Sequence, residues 1–241
     1  YLLIHFFSKK SVSFSFKNQS KLIVISLGII ALYAFKTIDR NKVWKDNYTL
    51  YSTDVKNCNK SARCQYHYGL AVMKNEALTA KTLQEKNYFL QKAITAFEKA
   101  ITIHPNYSEA YADVGLAYFR MNDFPKAEKN YLTAIQLNPA NATAFSNLGS
   151  LYFNTQRYQE AKSSYEKALR INPNYIDGLA NYASTLGTLG DYQGAIQFFK
   201  KAIDLNPGEP NYYQMVGVTY QNLGKSKEAQ EYFQKAKTLR N

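Results

Sequence analysis

A chain of 241 residues that is 46% hydrophobic and 20% charged is neither disordered nor fibrous, and it is long enough to bury a core. Its formal net charge of +12 is unevenly placed: ten Lys and Arg stand against three Asp and Glu in residues 1–60, and twenty against fifteen in the remainder. A basic excess confined to one end beside apolar runs reflects membrane topology, whereas nucleic-acid binding asks for a basic face repeated along the folded part, so no nucleic acid is expected as a partner.

The chain opens without Met on the apolar run Tyr1 to Phe7, and residues 1–21 read as the end of a preceding apolar helix plus a basic loop, in a stretch cut from something longer. Leu22 to Phe35 is a fourteen-residue run without charge, and snorkelling of Lys36 extends it to Ile38, which predicts a transmembrane helix over 22–38. A buried capping helix and a signal-peptide core are the competing readings, the second weakened by a long leader and the lack of an A-x-A site. Lys9, Lys10, Lys17 and Lys21 before the run balance Lys36, Arg40, Lys42 and Lys45 after it, so loop charge alone does not orient the helix. Residues 39–61 read as a junction, Arg40-Asn41-Lys42-Val43-Trp44-Lys45-Asp46-Asn47, followed by a lone capping helix from Asn47 to Cys58. The Cys58-x5-Cys64 spacing lacks a second ligand pair or a histidine cluster, which argues against a metal. Two unrelated thiols and a disulfide both stay open.

From residue 62 a period governs the chain. Pro105, Pro139, Pro173 and Pro207 follow one another at intervals of 34 residues. Counting backward from each, Ala93, Ala127, Ala161, Ala195 and Ala229 share one offset, the aromatics Phe97, Tyr131, Tyr165, Phe199 and Phe233 another, and Ala100, Ala134, Ala168, Ala202 and Ala236 a third. Earlier in each unit stand Gly69, Gly115, Gly149, Ala183 and Gly217. A small residue at a fixed place lets two helices approach, and an aromatic one turn away fills the gap beside it. The Asn-Pro or His-Pro pair ends the second helix, because the residue before proline is pushed out of the α region.

This pattern resembles the tetratricopeptide-repeat (TPR) family, whose period is 34 residues. The resemblance implies an all-α superhelix of stacked antiparallel hairpins over 62–241, with units 62–107, 108–141, 142–175, 176–209 and 210–241. The first unit carries about twelve extra residues between Met73 and Leu90, read as a lengthened helix pair or a loop. The polar final helix, with Lys225, Lys227, Glu228 and Glu231, and the helix from Asn47 are expected to cap the stack, since each unit contacts only its neighbours.

In that family the residues at positions 2, 5, 6, 9, 12 and 13 of a unit line the concave groove. Carried over, these are Arg63, Tyr66, His67, Leu70, Met73 and Lys74 in the first unit, and Glu109, Ala112, Asp113, Leu116, Phe119 and Arg120 in the second. Thr143, Ser146, Asn147, Ser150, Phe153 and Asn154 follow, then Asp177, Ala180, Asn181, Ser184, Gly187 and Thr188, and last Asn211, Gln214, Met215, Val218, Gln221 and Asn222. Tyr66, His67, Asp113, Phe119, Asn147, Asn154, Asn181, Gln214 and Asn222 are the candidate partner-binding residues. Asn147 and Asn181 share position 6, where superhelices similar to that of the nucleocytoplasmic O-GlcNAc transferase hold a peptide backbone with an asparagine ladder. A carboxamide offers both donor and acceptor to main-chain amides. The ladder is short, since Asp113 and Met215 interrupt it, and two merely solvated asparagines is the competing reading. No basic cluster suits capture of a chaperone's C-terminal carboxylate.

Nothing in the stretch predicts catalysis, a cofactor or a metal: His5, His67 and His104 lie in unrelated contexts, and no Ser/His/Asp set, phosphate-cradling loop or H-E-x-x-H occurs. The expected function is a membrane-tethered scaffold that binds a peptide or protein in its groove. The junction Arg40 to Asn47, with Leu50-Tyr51 and Asp54-Val55 behind it, resembles the passage from the last membrane helix to the TPR array in the TMTC-like O-mannosyltransferases, multipass GT-C-type proteins. That resemblance implies an acceptor-presenting arm facing the periplasm or a lumen, with the glycosyltransferase chemistry upstream of Tyr1.

Overall fold

The structure, a computed structural model, describes residues 16–43, 47–55 and 59–240, and the side chains of residues 24–38 and from Thr49 onward within them. Two compact units divide the chain, residues 1–53 and 54–241.

The first unit holds α1 (Phe16–Val43) and α2 (Asn47–Asp54). Helix α1 has 28 residues, about 42 Å at 1.5 Å per residue, and every side chain described in it, from Val24 to Ile38, is exposed, Leu32, Tyr33 and Phe35 by 69–72%. The predicted span over 22–38 is thus helical, although among the described residues no helix is long and apolar enough to cross a membrane. The run Tyr1 to Phe7 and residue Cys58 lie outside the described residues.

The second unit is built from hairpins. Helix α3 (Ala62–Val72) runs into a π-helical turn (Met73–Ala77) and is followed by α4 (Leu83–Ile103). Then come α5 (Ser108–Arg120) with α6 (Phe124–Leu137), α7 (Ala142–Asn154) with α8 (Tyr158–Ile171), α9 (Ile176–Thr188) with α10 (Tyr192–Leu205), and α11 (Pro210–Asn222) with α12 (Ser226–Thr238). Every element in the described residues is helical.

The small-residue and aromatic repeats meet in space. A Cβ added at Gly69 would fall 2.5 Å from the Phe97 ring, at Gly115 2.7 Å from Tyr131, at Gly149 2.8 Å from Tyr165 and at Gly217 2.5 Å from Phe233, so each aromatic lies directly on the glycine backbone of its partner helix. Phe97, Tyr131, Tyr165 and Phe199 are fully or almost fully buried, as are Ala93, Ala127, Ala161 and Ala195 beneath them. Burial of such rings dominates the core, at roughly 2–3 kcal/mol each.

Both turns of the hairpin repeat as well. Between the helices Asn122, Gln156, Gly190 and Gly224 all take positive φ, at 61°, 63°, 85° and 73°. At the end of the second helix His104, Asn138, Asn172 and Asn206 leave the α region, with φ between −130° and −141°, while their N–H groups close the last turn on Ala100, Ala134, Ala168 and Ala202. This is the break that the following proline demands. The Asn138 and Asn172 side chains also accept from the N–H two residues on, which explains asparagine in that slot.

The extra residues of the first hairpin are taken up by the π-helical turn, a short loop and an α4 of 21 residues, against 14 in α6, α8 and α10. Asn75 donates to the Ala71 carbonyl inside the turn, Lys92 of α4 ties to Glu76 at 3.1 Å, and Thr82 caps α4 by accepting from the Glu85 N–H. Cys64, in the first turn of α3, is disulfide-bonded, and the sequence holds one other cysteine, Cys58.

Candidate functional site: the inner face of the repeat array

Successive first helices touch one another, α5 with α7, α7 with α9 and α9 with α11, while the second helices approach each other less. The first helices are therefore the inner layer of the curved stack, and the side chains they turn away from their own second helix form its inner face.

Burial sorts the sequence-predicted groove residues. Tyr66, His67, Asp113, Phe119, Asn147, Asn181 and Gln214 are half-buried, and Asn154 and Asn222 are exposed. Three residues carried over as groove-lining are instead buried: Met73 in the π-helical turn, Ala112 against Ala144 of the next unit, and Ser146, which the Tyr175 hydroxyl meets. At the fifth position of the second and third units the next unit, or the residue leading into it, packs close against Ala112 and Ser146. Phe119 spends its ring on its own hairpin, 5.9 Å from Phe124, as Phe153 does 5.4 Å from Tyr158.

Hydrogen bonding divides the polar lining into closed and open groups. Asn154 donates to the Ser150 carbonyl, Ser150 to that of Ser146, Ser184 to that of Ala180 and Thr188 to that of Ser184, all within their own helix. Asn147, Asn181 and Gln214 make no side-chain hydrogen bond among the described residues, so their carboxamides keep donor and acceptor free toward the groove.

The first two units bring a different chemistry. The Tyr66 hydroxyl donates to Asp113 Oδ2 at 2.8 Å across the unit boundary, and the Tyr66 ring lies 4.8 Å from Tyr107, 5.7 Å from Phe97 and 5.5 Å from His67. Burial pushes the Asp113 carboxyl up to about 6, against the Tyr66 hydrogen bond and the nearby Arg120, which favour its ionised form. The Tyr66 hydroxyl is held well above the usual tyrosine range by burial and then by Asp113. His67 is lowered by burial and then by Arg63, so it stays neutral at pH 7.

The inner face thus belongs to a stack of helical hairpins that presents open amides and the half-buried carboxylate of Asp113. A family model described as tetratricopeptide repeat matches residues 108–141, and one described as the cytochrome c-type biogenesis protein H TPR domain matches residues 131–240. The chain carries an array of tetratricopeptide repeats. It is similar to protein O-mannosyl-transferase TMTC3 of Homo sapiens, 28% identical over 131 residues, which is 54% of this chain and 13% of that protein. The Mus musculus counterpart is 29% identical over 104 residues, covering 43% of this chain and 10% of that protein. The chain therefore spans only a small part of the curated relatives it matches.

Among solved structures, MamA superposes with a TM-score of 0.58 at 26% identity, covering 67% of this chain and 96% of that one. MamA of Desulfovibrio magneticus RS-1 gives 0.61 at 18%, covering 74% and 94%. YrrB, described as a TPR protein with an unusual peptide-binding site, gives 0.56 at 18%, covering 78% and 91%. The last two share the fold.

Proposed function

We propose that this chain is an interaction scaffold that holds a peptide or protein segment along the inner face of its repeats. The observation that carries the reading is the split in the lining: hydroxyls and Asn154 close on their own helices, while the amides of Asn147 and Asn181, one repeat apart, stay open. An extended main chain laid there finds a donor and an acceptor at each repeat whatever its side chains. Tyr66, His67, Asp113, Phe119, Gln214 and Asn222 complete the proposed lining. The test is to replace Asn147 and Asn181 together by Ala and measure binding to a partner found by crosslinking. Affinity should fall with the melting temperature nearly unchanged, because these are surface residues. Full affinity in the double variant moves the site off this face.

A second reading concerns the parent molecule. The likeness to TMTC3 and the junction sequence before α2 support an acceptor-presenting arm of an O-mannosyl-transferase-like protein whose chemistry lies upstream. The exposed apolar side chains of α1 support tethering of residues 22–38 in a membrane, and the disulfide at Cys64 supports a repeat array in the periplasm or a lumen, where thiols oxidise. Alkaline phosphatase fused behind Asn241 in the parent protein should be active. A silent phosphatase beside an active cytoplasmic reporter at the same position would put the repeats inside the cell.

A further inference from the structure

Asp113, in the unit of α5 and α6, is the one acidic residue at the sixth position of a unit, which His67, Asn147, Asn181 and Met215 fill elsewhere. Its Oδ2 accepts from Tyr66, whereas its Oδ1 makes no hydrogen bond and the carboxylate no ion pair within 4.0 Å among the described residues. Arg120 and Glu109 are near enough to be felt but do not pair with it. The free Oδ1 is not among the sealed, unpaired polar atoms, so it opens toward the surface where a ligand can meet it.

A second, independent feature points at the same spot. Tyr131 is fully buried and its hydroxyl has no hydrogen-bond partner. One repeat later the equivalent Tyr165 lies over Gly149 as Tyr131 lies over Gly115, and its hydroxyl reaches the inner face, where it meets Ser150 Oγ at 2.9 Å. In the unit of Tyr131 the place of Ser150 is taken by Leu116, so the phenol oxygen is left unpaired, near enough to Asp113 to feel its charge. The ring of Tyr66, whose hydroxyl holds the carboxylate, lies 4.8 Å from that of Tyr107 and 5.5 Å from that of His67.

We infer that Asp113, Tyr66, Tyr107 and Tyr131 form a subsite for one cationic group, a lysine ammonium or an arginine guanidinium carried by the segment bound in the groove. The identification rests on the groove reading above and names the side chain it selects. Such a head group has donors and no acceptor, which suits the open Asp113 Oδ1, with the unused Tyr131 phenol oxygen sealed in the core nearby. Aromatic rings beside a carboxylate attract a cation further wherever it lies over their faces. An amide at this position, as in the next two units, would not discriminate.

The subsite is also tuned by acidity. The titratable and charged groups that act on Asp113 or feel its charge are Tyr66 from α3, Tyr107 from the preceding loop, Glu109 and Arg120 from α5, and Tyr131 from α6. With its carboxyl lifted to about 6, Asp113 is ionised at pH 7.5 and largely protonated at pH 5, and a bound cation pulls that midpoint down.

The experiment uses the full chain and two kinds of probe. The small probes are n-butylammonium and methylguanidinium, with n-butanol as neutral control, followed by NMR of the Asp113 carboxyl and the Tyr66 and Tyr131 ring carbons. Both cations should lower the Asp113 midpoint and shift both tyrosines, n-butanol should do neither, and Asp113→Asn should abolish the response. Tyr131→Phe should fold normally, since it removes an unpaired hydroxyl, and weaken the cation several-fold. The second probe is a pair of otherwise neutral peptides that differ by lysine against norleucine. The lysine peptide should lose about tenfold in affinity in Asp113→Asn, and again between pH 7.5 and 5, with the norleucine peptide unmoved. No cation-specific shift at Asp113, or equal binding of the two peptides through Asn147 and Asn181, overturns the subsite and leaves the groove reading standing. A clear cation response with neither peptide bound upholds the subsite and sinks the groove reading.

Discussion

The hairpin of α3 and α4 and the hairpin of α7 and α8 solve the same packing problem at different lengths. In the second, the glycine notch and its aromatic, Gly149 and Tyr165, are 16 residues apart, and in the first, Gly69 and Phe97 are 28 apart. Yet the contact is the same to within a few tenths of an ångström. All the added length goes to the tip, into the π-helical turn and the early part of α4, where Leu78, Leu83 and Tyr88 stand exposed. The contact between notch and aromatic is what the stack requires, and the hairpin tip is where it tolerates variation. The first hairpin also faces the groove with tyrosine, histidine and, across the boundary, a carboxylate, while the central ones offer serine and asparagine. The regular units build the frame and the irregular end supplies the charged chemistry.

If the frame depends on the notch, filling it should hurt wherever it is done. Gly149→Val places branched carbons against a fully engaged Tyr165 ring and should cost on the order of 1–3 kcal/mol, read by urea denaturation followed by circular dichroism. Gly69→Val should cost a similar amount despite the longer hairpin. A much smaller loss at Gly69 would mean that the extra turn lets the first hairpin open, and the equivalence of the two hairpins would fail.

The two ends of the comparison should also part with pH. Asp113 in the folded chain holds its proton to about 6 against an ordinary 3.8, so folding takes up a proton between these values. The contribution of a raised carboxyl is present below pH 4 and is lost as the pH climbs through 6. The unit boundary at Tyr66 and Asp113 should therefore loosen relative to the central ones on going from pH 4 to pH 7. Asp113→Asn should flatten that slope and gain on the order of 1–2 kcal/mol at pH 7 while gaining little at pH 4. Hydrogen exchange of α3 and α5 against α9 at the two pH values separates this from a global effect, and parallel slopes in both regions would remove Asp113 as the cause.

The frame was legible because each of its parts is a residue type repeated at one spacing: Pro105 to Pro207 for the breaks, Gly and Ala for the notches, Tyr and Phe for the rings. The site was legible only in position. Which face Asn147 and Asn181 occupy follows from the period, but that Asn154 is closed on its own helix and Asn181 is not depends on rotamers that spacing does not encode. The Tyr66 to Asp113 bond joins residues 47 apart, and the orphaned Tyr131 hydroxyl shows up in sequence only as leucine at 116 where the next repeat has Ser150. Ala112 and Ser146 were expected on the open face and are buried because adjacent first helices come closer there than a single-repeat view suggests. A further regularity was present but written in mixed letters: residues 122, 156, 190 and 224 are Asn, Gln, Gly and Gly, and only their shared backbone shape reveals them as one position.

That position gives the smallest effect and the finest probe of how alike the repeats are. A left-handed backbone suits glycine, is tolerated by asparagine and is unfavourable for a residue with a longer side chain. Gly190 and Gly224 take it at φ of 85° and 73°, and Asn122 at 61°, so Gln156 at 63° is the one strained member of the set. Its neighbours supply the restraint: the Gln156 N–H closes on the Phe153 carbonyl at 3.0 Å and the Arg157 N–H on that of Tyr152 at 2.8 Å, the same pair of bonds that Gly190 and Asp191 make to Gly187 and Leu186. Gln156 is exposed, so replacing it removes no buried contact. Gln156→Gly should therefore stabilise the stack by about 0.5–1 kcal/mol, the relief of left-handed strain exceeding the added freedom of glycine in the unfolded chain. Asn122→Gly should gain less, because asparagine already accepts the conformation. A loss of stability in Gln156→Gly would show that unfolded-state entropy outweighs strain at this turn, and that the repeats hold their shared backbone without regard to which residue sits there.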